Sequence, residues 1–277
     1  LRDAKRGDTV RHIARSGDPD RALAALFAPR DARADLFALC ALNVELARIA
    51  EQASEPELGA IRMQWWRDAI ERAGAGETIG HPVADALGAT LRQRKLSRSR
   101  IDALIDARAF DIATKIMPDW ASLETYLLNT AGGLFALGAE CLGEHGPSLE
   151  QAASKAGLAY GLTGLMRALP VHAARGRVDL PADALRRHET SPEAVLSGKT
   201  DRGLLALLAD FRERAGSALA EARSAVAALD ARARAAFQPL CLVEPYLVAL
   251  AREGRDPLHE IADVNPLYRL WRMARWR

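Results

Sequence analysis

The sequence predicts an all-α protein, on three observations. Apolar residues recur at helical spacing, most plainly Leu36, Leu39, Leu42, Leu46 and Ile49 in the stretch that begins at Asp31. Alanine, leucine and arginine abound, β-branched runs are few, and nothing alternates with period two, which leaves little material for a sheet. Capping residues and prolines then divide the chain at short intervals, giving roughly ten helices on short turns and a single domain over 1–277.

The elements follow in order. Asp18-Pro19 is an N-cap with proline at the first helical position, opening a short helix that ends near Pro29. Asp31 starts a long helix that Ser54-Glu55-Pro56 ends, and another runs from about Glu57 to Ala73. His81-Pro82 leads into a helix reaching about Arg94. Ser97 caps the next, to about Ile116 before Met117-Pro118, and Ser122 caps one that runs to Leu142-Gly143. A helix over Ser148–Leu169 is expected to stop at Pro170. Two short pieces, a long amphipathic helix over about Asp201–Leu229, and helices near Ala231–Cys241 and Glu244–Arg252 complete the chain before PLYRLWRMARWR.

Composition narrows the function classes. The formal net charge is +2, from 38 basic and 36 acidic side chains, so bulk nucleic-acid binding is not expected and functional charge must be local. Cys40, Cys141 and Cys241 lie far apart in apolar surroundings without a CxxC pair, and read as reduced core residues. The apolar stretch from Tyr126 to Leu142 is broken by Asn129, Thr130 and Glu140, short of the roughly 20 clean residues of a membrane span. From Leu1 onward no targeting segment is visible.

Motifs for common chemistries are absent: no GxGxxG follows a strand, and neither GxxxxGK[ST] nor GxSxG occurs. Asp68/Glu71 and Asp102/Asp106 read as solvated helix faces rather than metal sites, and no metal ligand set is expected. His172, just past Pro170, reads as a capping histidine or a site residue. Gly132-Gly133 serves either close helix packing or a wall kept small for a long apolar ligand. The distinctive local charges are basic. In GLTGLMRALPVHAARGRVDLP, Arg167, Arg175 and Arg177 surround a helix exit with no carboxylate between Gly161 and Val178. In IRMQWWRDAIE two adjacent indoles, Trp65 and Trp66, point about 100° apart, so one is expected at a pocket wall or interface. The segment 266–277, with Trp271, Arg272 and Trp276, is basic and amphipathic, suited to a membrane surface, a partner groove, or plain docking on the bundle.

Together these segments resemble the squalene/phytoene synthase family over nearly the whole length. The resemblance rests on DPDRALAALFAPRDARADLFALCALNVELARIAEQ, on YLLNTAGGL, and on LTGLMRALPVHAARGRVDLP, where the family runs a helix into ARRGRIYLP. It implies an isoprenoid-synthase helical bundle around a central cavity. Active members condense two allylic diphosphates head to head, using Mg²⁺ held between carboxylates on two facing helices. The sequence departs from that pattern. The first set of acids falls on Ala47, Arg48 and Glu51, the second set (an asparagine and two aspartates) on Gly164, Ala168 and His172, and a cation-steering tyrosine on Asn129.

The NVELAR, Ser54-Glu55-Pro56 and QWWRDA stretches resemble a branch of this family with degenerate aspartate motifs, one that includes an assembly factor of respiratory complex I. That resemblance implies a non-catalytic protein with respiratory-complex subunits or assembly proteins as partners, no cofactor, and an isoprenoid diphosphate or lipid as candidate ligand. The expected location is the cytoplasm at the inner membrane face, or the matrix side in a mitochondrion. The candidate cavity and anion-binding residues are Arg48, Glu51, Asn129, Gly132, Arg167, His172, Arg175 and Arg177. The alternative is an active head-to-head prenyltransferase that requires Mg²⁺ and uses Glu51.

Overall fold

The computed structural model describes residues 2–52, 55–113 and 116–276; Ser54 of the Ser-Glu-Pro match and Arg277 of the basic terminus lie outside them. Among the described residues there are fourteen α-helices and no strand beyond an isolated parallel bridge between Ile116 and Val178. The chain divides into two compact units, one of residues 1–113, 133–150 and 226–239, the other of 114–132, 151–225 and 240–277.

The first unit is built on α3 (Arg33–Gln52), which packs against α1 (Arg2–Gly17), α2 (Pro19–Ala25), α4 (Pro56–Gly74), α5 (Pro82–Gln93), α6 (Arg98–Ala113) and α8 (Gly133–Cys141). The expected leucine stripe forms its core: Leu39, Leu42, Leu46 and Ile49 are buried with Ile70, Leu87, Ile101 and Leu104. Each such side chain, fully buried, contributes about 1.5–3 kcal/mol. Asp18 caps α2 by accepting from the Arg21 amide at 3.1 Å, as its sequence position predicts. The helix α1 went unpredicted because seven of its sixteen residues are charged and its apolar ones form no clear stripe; it docks through Val10, Ala14 and Gly17, where a Cβ on Gly17 would collide with a Val44 methyl.

The buried polar side chains of Asp35, Glu140 and Asn43 in this unit are paired. Asp35 accepts from Thr90 Oγ1 and Arg94 Nε, both at 2.9 Å, and Glu140 accepts from the Ser97 amide and Arg100 Nε, both at 2.8 Å. Asn43 of the NVELAR stretch accepts from Arg108 Nη2 at 2.9 Å, so one signature residue fastens α3 to α6. The three cysteines are buried free thiols, and burial pushes the pKa of Cys40 and Cys141 up.

In the second unit, α9 (Pro147–Ala174) is joined by α7 (Trp120–Leu127), α10 (Ala182–Arg187), α11 (Pro192–Leu196), α12 (Arg202–Ala227), α13 (Val243–Leu250) and α14 (Pro266–Ala274). Phe211, Leu162, Leu185, Leu204 and Tyr246 are buried there. Four elements differ from the expectation read from the sequence. Asp119, not Ser122, caps α7, accepting from the Ser122 amide at 2.8 Å, because the helix already starts at Trp120 and leaves the extended Asp119 at the N-cap position, with Ser122 inside the first turn. Pro170 does not end α9, which continues one turn to Ala174; a proline removes one amide donor from the ladder without forbidding the turn beyond it. The helix over 122–142 is also broken in register, since Leu128–Gly132 forms a π-helical turn between α7 and α8. The helix expected near Ala231–Cys241 is instead 3₁₀ over Ala233–Leu242.

Candidate functional site

The candidate residues fall into groups on separate elements. In the first unit, Arg48 lies on α3 four residues before Gln52, and α4 brings Arg62, Trp65 and Trp66 to the same side; these residues, with Glu45, Ile49 and His81, line a recess of about 230 Å³. Trp66 is buried, while Trp65 is 42% exposed. Each indole meets the His81 ring edge-on, with centroids 5.4 Å away for Trp65 and 5.0 Å for Trp66, and the indoles meet each other at 5.1 Å. His81 Nδ1 is buried with no hydrogen-bond partner among the described residues. Arg48 pairs with Glu45 at 3.4 Å and donates to Ser16 Oγ at 3.3 Å. Glu51 is exposed one turn on and is not among the residues lining the recess.

In the second unit the helix exit is organised by a residue that sequence reasoning passed over. Asp179 is buried; its Oδ2 meets His172 Nδ1 and its Oδ1 accepts from Arg177 Nε at 2.5 Å. Burial acts to raise the Asp179 pKa, and the His172 hydrogen bond and the Arg177 charge outweigh it, so the net shift is downward. The turn that makes this possible is closed by Gly176 at φ +75°, with the Arg177 amide bonded to the His172 carbonyl at 2.9 Å. Beyond it, the Met117 amide donates to the Val178 carbonyl and the Ala182 amide to the Met117 carbonyl, both at 2.9 Å, which pins the exit strand. The stretch from Gly161 to Val178 holds no carboxylate; the acid that serves the basic exit is the next residue, Asp179.

Arg167 is placed elsewhere. Its guanidinium lies 3.5 Å from the centroid of the Tyr246 ring, Nε donates to the Ala262 carbonyl at 3.2 Å, and Nη2 approaches Asp263 at 3.5 Å. It therefore clamps the segment leading into α14. Arg175 is exposed in the turn. Asn129 and Gly132 both belong to the π-helical turn, and Gly132 faces α9: a Cβ on Gly157 would stand 2.6 Å from the Gly132 Cα, and one on Gly132 would meet the Ala153 carbonyl at 3.2 Å. Close backbone approach accounts for both glycines. Gly164, on α9, has open space where a Cβ would be.

The last helix, α14, is capped by Asn265, which accepts from the Leu267 amide at 2.9 Å. Met273 is buried, while Arg272 donates to the Cys241 carbonyl and pairs with Glu244, both at 3.1 Å. The opposite side is bare: Leu267 is 76% exposed, Leu270 and Tyr268 are exposed, and Trp271 is exposed with its ring stacked on Tyr268. Trp276 is half-buried. No described helix is long and apolar enough to cross a membrane, and among the described residues no group of three or more His, Cys, Asp or Glu is placed to hold a metal ion.

Helix order and the RGRxxLP exit carry a family pattern, and the squalene/phytoene synthase pattern matches residues 14–276. The chain belongs to the squalene/phytoene synthase family. Within this family it is similar to proteins named NADH dehydrogenase (ubiquinone) complex I, assembly factor 6: the Bos taurus protein is 32% identical over 247 residues, covering 89% of this chain and 74% of that one, and the Homo sapiens protein 30% identical over the same span. A Streptomyces coelicolor protein named bifunctional protein CrtB/UppS is 27% identical over 181 residues, or 65% of this chain and 32% of its own. The fold is that of solved squalene and dehydrosqualene synthases. The squalene synthase HpnC from Alicyclobacillus acidocaldarius superposes with a TM-score of 0.79 at 20% identity, covering 90% of this chain and 94% of that one. A dehydrosqualene synthase superposes with 0.80 at 17%, covering 98% and 95%.

Proposed function

We propose that this squalene/phytoene synthase family member is a non-catalytic assembly factor of respiratory complex I, acting as one domain over 1–277. The observation that carries the reading is the fate of the positions where the family holds its metal-binding acids. Ala47, Gly164 and Ala168 offer no side-chain oxygen. Arg48 is a cation engaged with Glu45 and Ser16, and His172 is engaged by Asp179. Mg²⁺ prefers several carboxylate and water oxygens, and a guanidinium at its seat repels it. These residues do not fit the metal.

The likeness to the complex I assembly factors, at about 30% identity over most of the chain, supports complex I subunits or assembly proteins as partners. A site beside the inner membrane face, on the matrix side in a mitochondrion, accords with the exposed apolar side of α14, which would rest on the lipid surface. The ligand candidates are an isoprenoid diphosphate or a lipid, with Arg48, Arg175 and Arg177 as the basic groups nearest the family's reaction centre by resemblance. Arg167 and Gly132, occupied in packing, would shape the site rather than bind.

In cells deprived of the chain, complex I on native gels should fall, and both the wild-type chain and Glu51→Gln should restore it. The rival reading, a head-to-head prenyltransferase, is favoured by the carboxylate retained at Glu51 and by the Streptomyces relative. If it holds, Glu51→Gln fails to restore function and the wild type alone succeeds.

A further inference from the structure

A second basic recess lies in the second unit, among residues that neither the family resemblance nor the proposed function uses. It opens between α12 and the turn that follows α13, with a volume of about 410 Å³. Leu205, Leu208 and Leu250 give it an apolar side, and Arg212, Arg252 and Arg255 a cationic one.

Arg212 is half-buried on α12, and among the described residues no carboxylate pairs with it; burial alone lowers its pKa. Arg255 is half-buried too. Its pKa is lowered first by burial and further by the charges of Arg212 and Arg252, against the opposing pull of Glu260 and Asp256. Arg255 Nη2 donates to the Glu260 carbonyl at 2.6 Å, and its Nε is buried with no partner among the described residues. Arg252, on the rim, approaches the Glu260 carboxylate at 3.6 Å.

The acids nearby offset this charge only in part: Glu260 pulls on Arg255 and approaches Arg252, and among the described residues no carboxylate pairs with Arg212. Asp256 accepts from Thr200 Oγ1 at 2.8 Å, from the Leu258 amide at 2.9 Å and meets His259 at 2.9 Å, so its carboxylate is committed to closing its own loop. Glu253 is exposed on the rim. Arginines beside a helix C-terminus often serve only to complement the dipole, and this accounts for Arg252 and Arg255 just beyond α13. It does not account for Arg212, which comes from a different helix and, among the described residues, donates to no carbonyl. Two half-buried guanidiniums held near each other without a shared acid repel, and the arrangement is stabilised when an anion completes it.

We propose that the Arg212–Arg255 recess binds a phosphate group, carried by free phosphate or diphosphate or by the headgroup of a phosphorylated amphiphile whose apolar part lies along Leu205 and Leu208. A phosphate presents three or more acceptor oxygens to the planar donor sets of both arginines, including the buried Arg255 Nε. The site is independent of the Arg48 and His172 region, so it stands whether or not the chain assembles complex I.

The test uses the full chain, with inorganic phosphate and pyrophosphate titrated calorimetrically at ionic strength held constant with chloride, and with vesicles of phosphatidylcholine containing phosphatidic acid. The wild type should bind at least one of these probes saturably. Arg212→Gln and Arg255→Gln should each weaken that binding by about tenfold or more, the size of one charge-assisted hydrogen bond, while the unliganded Arg212→Gln variant keeps or gains thermal stability because a repulsion has been relieved. Binding of the free anions identifies a soluble ligand; binding of vesicles alone, lost in the same variants, identifies a lipid headgroup. Absence of saturable binding to every probe, or affinity unchanged in both variants, overturns the proposal. If either glutamine variant loses its folded signal, Leu205→Glu on the exposed edge of the recess replaces it: it should fold normally and weaken phosphate, and unchanged affinity would overturn the site.

Discussion

Replacing Asp179 with asparagine tests the account of the helix exit. The carboxylate is buried and meets two donors, His172 and Arg177, whose side chains are 26% and 20% exposed. An asparagine presents one acceptor oxygen and turns its NH₂ toward the other donor, so one charge-assisted bond is lost and a donor is left facing a donor. Each such bond contributes about 1.5–3 kcal/mol, and some solvent reaches the partners, so Asp179→Asn should cost roughly 2–4 kcal/mol. The sign of the pH dependence follows from the lowered pKa. The stabilisation is fully present above the ordinary value of 3.8 and is lost as pH falls through the still lower folded value. Urea denaturation at pH 6 should therefore show the full gap between wild type and variant, and the gap should narrow below about pH 4. A variant within about 0.5 kcal/mol of wild type at pH 6, or a gap that persists unchanged into acid, would refute the assignment.

Other expectations follow from the same packing. Gly157→Ala places a Cβ against the Gly132 backbone at 2.6 Å and should lower stability by about 1–3 kcal/mol in thermal unfolding. Trp66→Ala should cost about 3–5 kcal/mol, since the indole is buried, while Trp65→Ala should stay within about 1 kcal/mol because much of that ring is already in water. The double variant Leu267→Ser with Trp271→Ser should leave stability unchanged and reduce cosedimentation with anionic vesicles severalfold; equal cosedimentation would remove α14 from the membrane-contact account.

The sequence carried the architecture well where signals were local. The leucine stripe of α3, the Asp18 cap and the proline-led starts of α2 and α5 are each determined by a few neighbouring residues, and they appear as read. Signals that depend on tertiary context were not legible. The helix α1 lacks a clear apolar stripe and is held by Gly17 against Val44. Pro170 reads as a stop, yet packing carries α9 through it. The π-helical turn at Leu128–Gly132 has no simple periodic signature, and it belongs to a close approach with α9 that no local pattern reveals.

The candidate site divides in the same way. The basic and aromatic residues are visible as types, but their partners are not: Asp179 stands just past the acid-free stretch 161–178, and Tyr246, which receives Arg167, is distant in the chain. The Arg212 and Arg255 recess was invisible for the same reason, since each arginine alone looks like an ordinary surface cation on a helix or turn.

The most direct measurement of the central claim is pyrophosphate release from farnesyl or geranylgeranyl diphosphate by the purified chain, with and without Mg²⁺, alongside ligand binding. The account predicts no metal-dependent release and any binding insensitive to Mg²⁺, because Ala47, Arg48, Gly164 and Ala168 supply no carboxylate to hold the ion. Mg²⁺-dependent release accompanied by a C30 or C40 product, and abolished by Glu51→Gln, would contradict it and establish a working synthase.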